Sequence, residues 1–435
     1  MVALAVAHRS SALRITCCPP RRRPFVNKRE RRRPGTRRDA DTPYTPAHVS
    51  IGRLVVFLAV VTSVAAFLHY YLWARLVRDA GLPSPWFGIA TGVIVSLGAV
   101  TTLGPVLSRV SPRAVSLPIS WIGYVWMGVV FFLFLLLLGG DVVRLVSWLV
   151  SRGQEVDPDR RVFLSRVLGI GAAAGALGLG GASLWSALTP VAVKHVPLRL
   201  SRFPSGLGAY KIVQLTDLHV GPTLGKAWLE DIVRRTNALD PDLIAITGDL
   251  VDGSVADLAA HVAPLGDLRA RDGVFFVTGN HEYYSGVEAW LDHIRTLGVR
   301  VLRNERVPIR AADGFDLAGV DDYTAEGMAD GHGMDIRRAM HGRDSERAVV
   351  MLAHQPKAVE LASQHDVDLM LSGHTHGGQI FPWGHAVRLQ QPYVAGLFDH
   401  GPTKLYVSCG TGYWGPPMRL GSPAEITLLE LRGTA

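Results

Sequence analysis

Residues 373–378 read Gly-His-Thr-His-Gly-Gly, and they contain the last of five short clusters of acidic, amide and imidazole side chains. The five clusters span about 160 residues and follow one another along the second half of the chain. They are Asp217-Leu218-His219, Gly248-Asp249-Leu250-Val251-Asp252, Gly279-Asn280-His281-Glu282, His354 and His374-Thr375-His376. Side chains of these types are metal ligands in proteins, so the pattern indicates a metal site assembled from distant segments.

A short apolar run precedes each cluster. The runs are 212–215, 243–246, 274–277, 349–352 and 367–371, and they are rich in Val, Ile and Leu. Runs of this length that end in Gly or polar residues predict buried strands. Each cluster is therefore predicted to lie on a loop just past the C-terminal end of a strand, where open α/β sheets hold their chemistry.

The ligand types restrict the metal. Carboxylates, imidazoles and one amide, without a thiolate, suit divalent Mn, Fe, Zn or Ni ions. Two such ions about 3.5–4 Å apart need a ligand that both can share, and a carboxylate has two oxygens for this. Asp249 is the candidate bridge. Any one cluster alone is an ordinary turn sequence, but five in order within one domain-sized span favour a two-metal hydrolase.

In order and residue type, the clusters resemble the motifs DxH, GDxxD, GNH(D/E), a lone His and GHxH of the calcineurin-like metallophosphoesterases. The resemblance covers about residues 205–432. It implies a first metal ion held by Asp217, His219, Asp249 and His376, and a second held by Asp249, Asn280, His354 and His374. It also implies that His281 protonates the leaving group and that Asp252 fixes the tautomer of His281.

Two positions distinguish this chain from other classes of the superfamily. Asp252 stands where purple acid phosphatases carry a tyrosinate ligand, and Gly253 stands where protein serine/threonine phosphatases carry an arginine. The chain is more similar to a membrane-associated group that includes YkuE-like and YaeI-like phosphodiesterases and animal transmembrane proteins with a metallophosphoesterase domain. Its ending, Gly410-Thr411-Gly412 followed by Ala424-Glu425-Ile426, is also similar to that group, although the usual second proline is replaced by Ala424.

The fold class implied is α/β, with transmembrane helices followed by a four-layer α/β/β/α sandwich. Helical spacing of apolar residues over 227–237 and 286–297 agrees with helices outside two stacked sheets. The apolar faces of these helices are interpreted as core packing.

The charges divide between the two halves of the chain. Residues 1–200 contain 24 Lys/Arg and 8 Asp/Glu, whereas residues 201–435 contain 21 and 29. The half with the predicted metal site is therefore acidic, which argues against a nucleic-acid partner. The three cysteines, Cys17, Cys18 and Cys409, cannot form a disulfide framework.

The first half is predicted to be a membrane module, residues 51–189. Segments 54–73, 86–107 and 117–138 are each about 20 residues or longer and almost free of charge, which is the length needed to cross the hydrocarbon layer. A fourth segment, 167–188, is richer in Gly and Ala. Residues 1–50 are predicted to be a basic, disordered cytoplasmic arm, or alternatively the product of a start codon assigned too early, and 190–204 to be a linker.

Two signals in the sequence conflict over the side of the membrane on which the catalytic domain lies. Asp159-Arg160-Arg161-Val162-Phe163-Leu164-Ser165 resembles a twin-arginine export signal, and the loop before it is basic, which favours a catalytic domain on the outer face of the cell membrane. The basic arm with four spans would instead place the enzyme in the cytoplasm. We favour the outer face because the export-like motif adjoins the catalytic domain.

Three functions are compared. The first is a phosphodiesterase or pyrophosphatase whose phosphoester substrate lies near the bilayer and is lipid-linked, so that membrane lipids are partners. The second is a phosphomonoesterase of the same fold, and the third is an inactive membrane-anchored metal-binding module. Intact ligands and an intact His281 count against the third. His385, Arg388, Tyr393 and His400 flank the last cluster and are interpreted as loop residues rather than assigned to substrate binding.

Overall fold

The computed structural model describes residues 51–111, 113–151, 157–311 and 313–434. The predicted basic arm, residues 1–50, lies outside the described residues. In the described chain, four long helices are followed by two sheets with flanking helices.

The four N-terminal helices are each long and apolar enough to cross a membrane. They are α1 (Ile51–Trp73), α2 (Trp86–Val110), α3 (Arg113–Val150) and α4 (Pro158–Leu188). Helix α3 does not stop where its apolar run ends but continues past Asp141 and Arg144. These charges remain within the helix because Asp141 pairs with Arg75 of the segment after α1 at 3.0 Å and with Arg144 at 3.6 Å.

Twelve strands follow. They are β1 (Ala192–Leu200), β2 (Tyr210–Leu215), β3 (Leu243–Thr247), β4 (Val274–Val277), β5 (Arg300–Val301), β6 (Glu305–Ile309), β7 (Phe315–Gly319), β8 (Val349–Leu352), β9 (Leu369–Ser372), β10 (Gly396–His400), β11 (Thr403–Val407) and β12 (Glu425–Gly433). One sheet has the order β1-β12-β2-β3-β4-β5, and the other β10-β11-β9-β8-β7-β6. All five predicted strands are present.

The flanking helices and the cores define four layers. The helices are α5 (Lys226–Asn237), α6 (Val255–Val262), α7 (Asn280–Ser285), α8 (Val287–Thr296), α9 (Ile336–Met340), α10 (Val359–Ser363) and α11 (Gly384–Val387). One core, which includes Ile212 and Phe315, lies between the sheets. A second packs α5 and α8 onto the first sheet through residues such as Ile232 and Trp290, and a third packs α9 and α10 onto the second sheet. The α/β/β/α sandwich is thus confirmed.

The segment predicted as a linker, 190–204, is largely a strand. Residues 192–200 form β1, which pairs in parallel with β12 along its whole length. Val196, Leu198 and Leu200 alternate with exposed neighbours and are buried. This period-2 pattern is the signature of a strand with one buried face, so the catalytic sheet begins only a few residues after α4.

Strand direction explains the position of the clusters. In the first sheet β2, β3 and β4 are parallel, and in the second β8 and β9 are parallel. Their C-terminal ends therefore lie at one edge of each sheet, and the five clusters follow these ends. The sandwich brings both edges together.

Candidate metal centre

The predicted side chains converge in three groups, within each of which the ligand atoms lie no more than 4.8 Å apart. The groups are Asp217, His219 and His376; Asp249, His354 and His374; and His219, Asp252 and His281. The metal-ligand candidates among them are almost fully buried, apart from the half-buried His374. The three groups thus contain residues from all five clusters.

The first group has the spacing of ligands around one cation. Nε2 of His219 lies 3.1 Å from Nε2 of His376, which lies 3.5 Å from Oδ1 of Asp217. With bonds of about 2.1 Å, ligand atoms at right angles around a metal are roughly 3 Å apart. Two imidazole nitrogens and a carboxylate oxygen aimed at one point fit a divalent ion.

The second group has the same spacing. Nε2 of His354 lies 3.2 Å from Nδ1 of His374 and 3.1 Å from Oδ2 of Asp249. The same Oδ2 lies 3.9 Å from Nε2 of His219 in the first group. The Asp249 carboxylate therefore faces both groups, which is the placement that a shared ligand requires.

Asn280 provides an independent test of the fit. Its Oδ1 is buried and has no hydrogen-bond partner among the described residues. A buried carbonyl oxygen left unpaired costs about 1–3 kcal/mol, and a bound cation would satisfy it. The residues present therefore fit a divalent metal pair.

The backbone around the ligands is unusual. Asp217, His219, Asp249, His374 and His376 all have φ between 45° and 70°, in the left-handed region. Non-glycine residues seldom adopt this region, and each instance costs on the order of 1 kcal/mol. Its recurrence at five candidate ligands indicates that the fold holds these side chains in place against local preference.

Hydrogen bonds set the histidine tautomers. Nδ1 of His354 donates to the carbonyl oxygen of Thr247 at 2.8 Å, which leaves Nε2 free to bind a metal. Oδ1 of Asp252 accepts from Nδ1 of His281 at 2.6 Å and from Nδ1 of His219 at 3.0 Å. Asp252 therefore orients one candidate ligand and the candidate acid together.

The charges around His281 favour its protonated form. Burial works to lower the pKa of His281, but the charges of Asp249 and Asp252 outweigh it and raise that pKa to about 9. For Asp252, burial works to raise the pKa, while His219 and His281 bring it down to about 2. An ionised Asp252 beside a protonated His281 is the arrangement of an oriented general acid.

Glu282 is a positioning residue that the sequence interpretation did not assign. Its Oε2 accepts from the backbone N–H groups of Gly279 at 2.7 Å and Asp249 at 3.0 Å, and its Oε1 accepts from Leu250 at 2.8 Å. The buried carboxylate thus fixes the loop that presents Asp249. The spacing Gly279-x-x-Glu282 is that of a capping box, and this signal was available in the sequence.

Arg419 is a second residue without an assigned role. It is almost fully buried, and no carboxylate pairs with it among the described residues. Its guanidinium instead donates to backbone carbonyl groups, including those of Ser422 at 2.8 Å and His376 at 3.4 Å. Arg419 therefore holds together the loops around one candidate ligand, and nothing in the local sequence indicated this.

The residues that flank the last cluster have different environments; they are His385, Arg388, Tyr393 and His400. Tyr393 packs against the core over the second sheet, and its hydroxyl lies 2.9 Å from Nδ1 of His400, so this pair is structural. His385 and Arg388 are exposed.

A buried cluster of histidines and carboxylates, at the joined edges of two stacked sheets, defines a metallophosphoesterase domain. Residues 210–378 match the family described as calcineurin-like phosphoesterase. The chain is 42% identical over 330 residues to the transmembrane protein with metallophosphoesterase domain of Bos taurus, covering 72% of this chain and 74% of that protein.

Two bacterial proteins are also similar in sequence to this chain. The chain is 33% identical over 385 residues to the uncharacterized metallophosphoesterase Cj0846 of Campylobacter jejuni, covering 87% of this chain and 99% of the relative. It is 31% identical over 288 residues to the uncharacterized metallophosphoesterase YkuE of Bacillus subtilis, covering 63% of this chain and 98% of that protein. The chain belongs to the calcineurin-like metallophosphoesterases.

Proposed function

We propose that this metallophosphoesterase is a membrane-anchored phosphodiesterase or pyrophosphatase with two metal ions, and that its phosphorylated substrate lies near the bilayer. The observation that carries the proposal is the pair of ligand groups that face one carboxylate, Asp249, with His281 beside them. This arrangement suits phosphoester hydrolysis by a pair of metal ions.

The ligand roles follow from the two groups. Asp217, His219, Asp249 and His376 would hold one ion, and Asp249, Asn280, His354 and His374 the other. When bound, divalent ions of the Mn, Fe, Zn or Ni type screen the negative phosphate and lower the pKa of water between them. Glu282 and Thr247 keep Asp249 and His354 in the orientation that binding needs.

His281 would act as the general acid. Its Nε2 lies 4.0 Å from Oδ2 of Asp249, but His281 belongs to neither of the two ligand groups that contain Asp217 or Asp249. Its Nδ1 proton is held by Asp252, which leaves Nε2 to give its proton to the leaving oxygen. The carboxylate of Asp252, which is not assigned to a metal ion, stabilises the charged ring before the transfer.

The surroundings of His281 suit an ester of an organic alcohol, and the residue after Asp252 favours a diester over a monoester. Trp414 and Tyr284 flank its ring, with centroids 5.5 Å and 5.3 Å away. Two aromatic side chains beside the acid suit an organic leaving group, which diesters and monoesters share. The position after Asp252 is Gly253, so the arginine that would grip a dianionic monoester is missing there.

Substrate preference is the direct test of this proposal. The full-length protein in detergent is stripped of metal with a chelator, and Mn²⁺, Zn²⁺, Fe²⁺ or Ni²⁺ is added back. We expect metal-dependent turnover, with kcat/KM for bis-(p-nitrophenyl) phosphate about tenfold or more above that for p-nitrophenyl phosphate.

The other results separate the competing functions. Preference for the monoester would support a phosphomonoesterase. Absence of turnover in folded protein that binds two ions per chain would support the inactive binding module.

We further propose that the catalytic domain lies on the outer face of the membrane. Arg75, Arg78, Arg144 and Arg166 lie at the end of the helices from which α4 starts, whereas the catalytic sheet follows the other end of α4. Basic residues between spans favour the cytoplasm. In a Cys17→Ser/Cys18→Ser background, a membrane-impermeant maleimide should therefore label an Asp267→Cys variant, and not the parent with Asp267, on intact cells. Labelling only after lysis would contradict this topology.

A further inference from the structure

The catalytic domain contacts the membrane helices through two loops beside the metal centre, residues 379–391 and 412–420, here called the rim loops. Ile380 and Met418 share an apolar core with α1, α3 and α4. The backbone N–H of Arg419 donates to the carbonyl oxygen of Ser183 in α4 at 2.9 Å. The rings of Trp383 and Phe131 of α3 meet edge to face at 6.3 Å. The rim loops are therefore continuous with the membrane module.

The contact lies partway along the helices and not at their ends. Met418 packs against Gly128 of α3, which is 13 residues before Asp141, and it also approaches Gly180 of α4, which is 14 residues after Arg166. Asp141 and Arg166 belong to the charged end of the helices. At 1.5 Å per residue, both counts place Met418 about 20 Å from that end.

The bilayer is thicker than this distance. Its hydrocarbon layer is about 30 Å thick. If the charged end marks one boundary, Met418 lies inside the apolar layer, about 10 Å short of the opposite boundary. The rim loops therefore reach into the membrane from the catalytic side.

Backbone polar groups of the rim loops form hydrogen bonds within the protein, as an apolar environment requires. Phe381 N–H donates to the carbonyl of Leu420 at 2.9 Å, and Leu420 N–H donates to that of Gln379 at 2.9 Å. Trp383 N–H donates to the carbonyl of Ile380 at 2.8 Å. Irregular backbone at membrane depth persists where its polar groups are satisfied within the protein, and these groups are.

The exposed side chains of the rim loops are mostly large and apolar. Phe381 is 60% exposed, Trp383 56%, Leu389 90% and Trp414 55%. A group of such residues on a water-facing surface is unfavourable, whereas beside membrane helices lipid would cover it. Arg388, also exposed, has no ion-pair partner in the described part of the chain and suits an anionic headgroup.

We propose that the rim loops are embedded in the bilayer and that the metal centre takes its substrate sideways from the leaflet, as a lipid with a phosphodiester or pyrophosphate headgroup. Trp414 connects the rim loops with the metal centre, because it belongs to a rim loop and its ring lies 5.5 Å from that of His281. The inference rests on the proposed phosphodiesterase function and specifies its substrate class.

The first test compares two diesters with the same leaving group, p-nitrophenyl hexadecyl phosphate and p-nitrophenyl ethyl phosphate. Full-length protein in lipid nanodiscs should hydrolyse the hexadecyl ester with a kcat/KM at least about 100-fold higher. The double variant Phe381→Ser/Leu389→Ser should lose roughly tenfold or more of the hexadecyl rate and keep the ethyl rate within about twofold. Leu361→Ser, which changes an exposed leucine of α10 outside the rim loops, is the matched control.

The second test measures immersion without catalysis. A Leu389→Cys variant, made with Cys17→Ser and Cys18→Ser, carries an environment-sensitive fluorophore, and lipids with a nitroxide on the acyl chain should quench it. The same label in a Leu361→Cys variant should be quenched little.

Each outcome has a separate meaning. Equal rates for the two esters, or a label at position 389 that lipid nitroxides do not quench, would overturn the embedded rim while the phosphodiesterase stands. Failure to hydrolyse either ester with two metal ions bound would overturn the proposed function and with it the lipid substrate.

Discussion

Replacing Asp249 with asparagine is expected to lower kcat/KM for bis-(p-nitrophenyl) phosphate by at least about 100-fold and to reduce bound metal below two ions per chain. Oδ2 of Asp249 lies 3.1 Å from Nε2 of His354 and 3.9 Å from Nε2 of His219, so one carboxylate faces both ligand groups. A neutral amide of the same shape offers one weaker oxygen in place of two charged ones. Metal content by mass spectrometry and turnover with saturating Mn²⁺ are the measurements.

Loss of stability must be separated from loss of metal. Asp316 is also buried, but it pairs with Arg306 at 2.7 Å and Arg347 at 2.9 Å and belongs to none of the ligand groups. Asp316→Asn should therefore lower Tm while the protein that remains folded binds two ions. If Asp249→Asn kept both ions and normal turnover, the shared-ligand assignment would fail.

The strands and the residues that follow them were predictable because burial leaves a direct mark on sequence. Residues 212–215 and 243–246 are apolar at every position or nearly so, and the structure has strands at Tyr210–Leu215 and Leu243–Thr247. A strand covered on both faces requires this composition. Since parallel strands end at one edge, the convergence of the clusters follows from their order.

The left-handed backbone at the candidate ligands was not predictable from composition. Asp217, His219 and His376 adopt φ near 50° because tertiary contacts impose it, and local preference opposes it. The close packing of Gly373 is similar, since a Cβ there would collide with the carboxylate of Asp217. Such constraints come from segments distant in sequence, so no local pattern reports them.

The packing of the catalytic domain against the membrane helices was also not predictable from the sequence. The approach of Met418 to Gly128 joins residues 290 positions apart, and neither stands in a motif. The pattern of β1 was present in the sequence, yet its proline and basic residues suggested a linker. A strand at the edge of a sheet tolerates proline, which accounts for Pro197 within it.

Replacing His281 with alanine is expected to lower turnover of poor leaving groups by about 10²–10⁴-fold while two metal ions stay bound. Its Nδ1 is held by Asp252, and it belongs to neither ligand group that contains Asp217 or Asp249, so we assign the ring to proton transfer and not to metal binding. Metal content and the rates of diesters with leaving groups of increasing pKa are the measurements. The deficit should grow with that pKa, because p-nitrophenolate departs with little help whereas an alkoxide needs a proton.

His219 provides the matched comparison, because its Nδ1 also donates to Oδ1 of Asp252, at 3.0 Å, whereas its Nε2 faces His376 in the first ligand group. His219→Ala should therefore lose metal, and its activity should fall by a similar factor for every leaving group. The two histidines thus share one hydrogen-bond acceptor, and their other nitrogens face different groups. If His281→Ala also lost metal, or if its deficit were the same for all leaving groups, His281 would be a ligand or a structural residue rather than the acid.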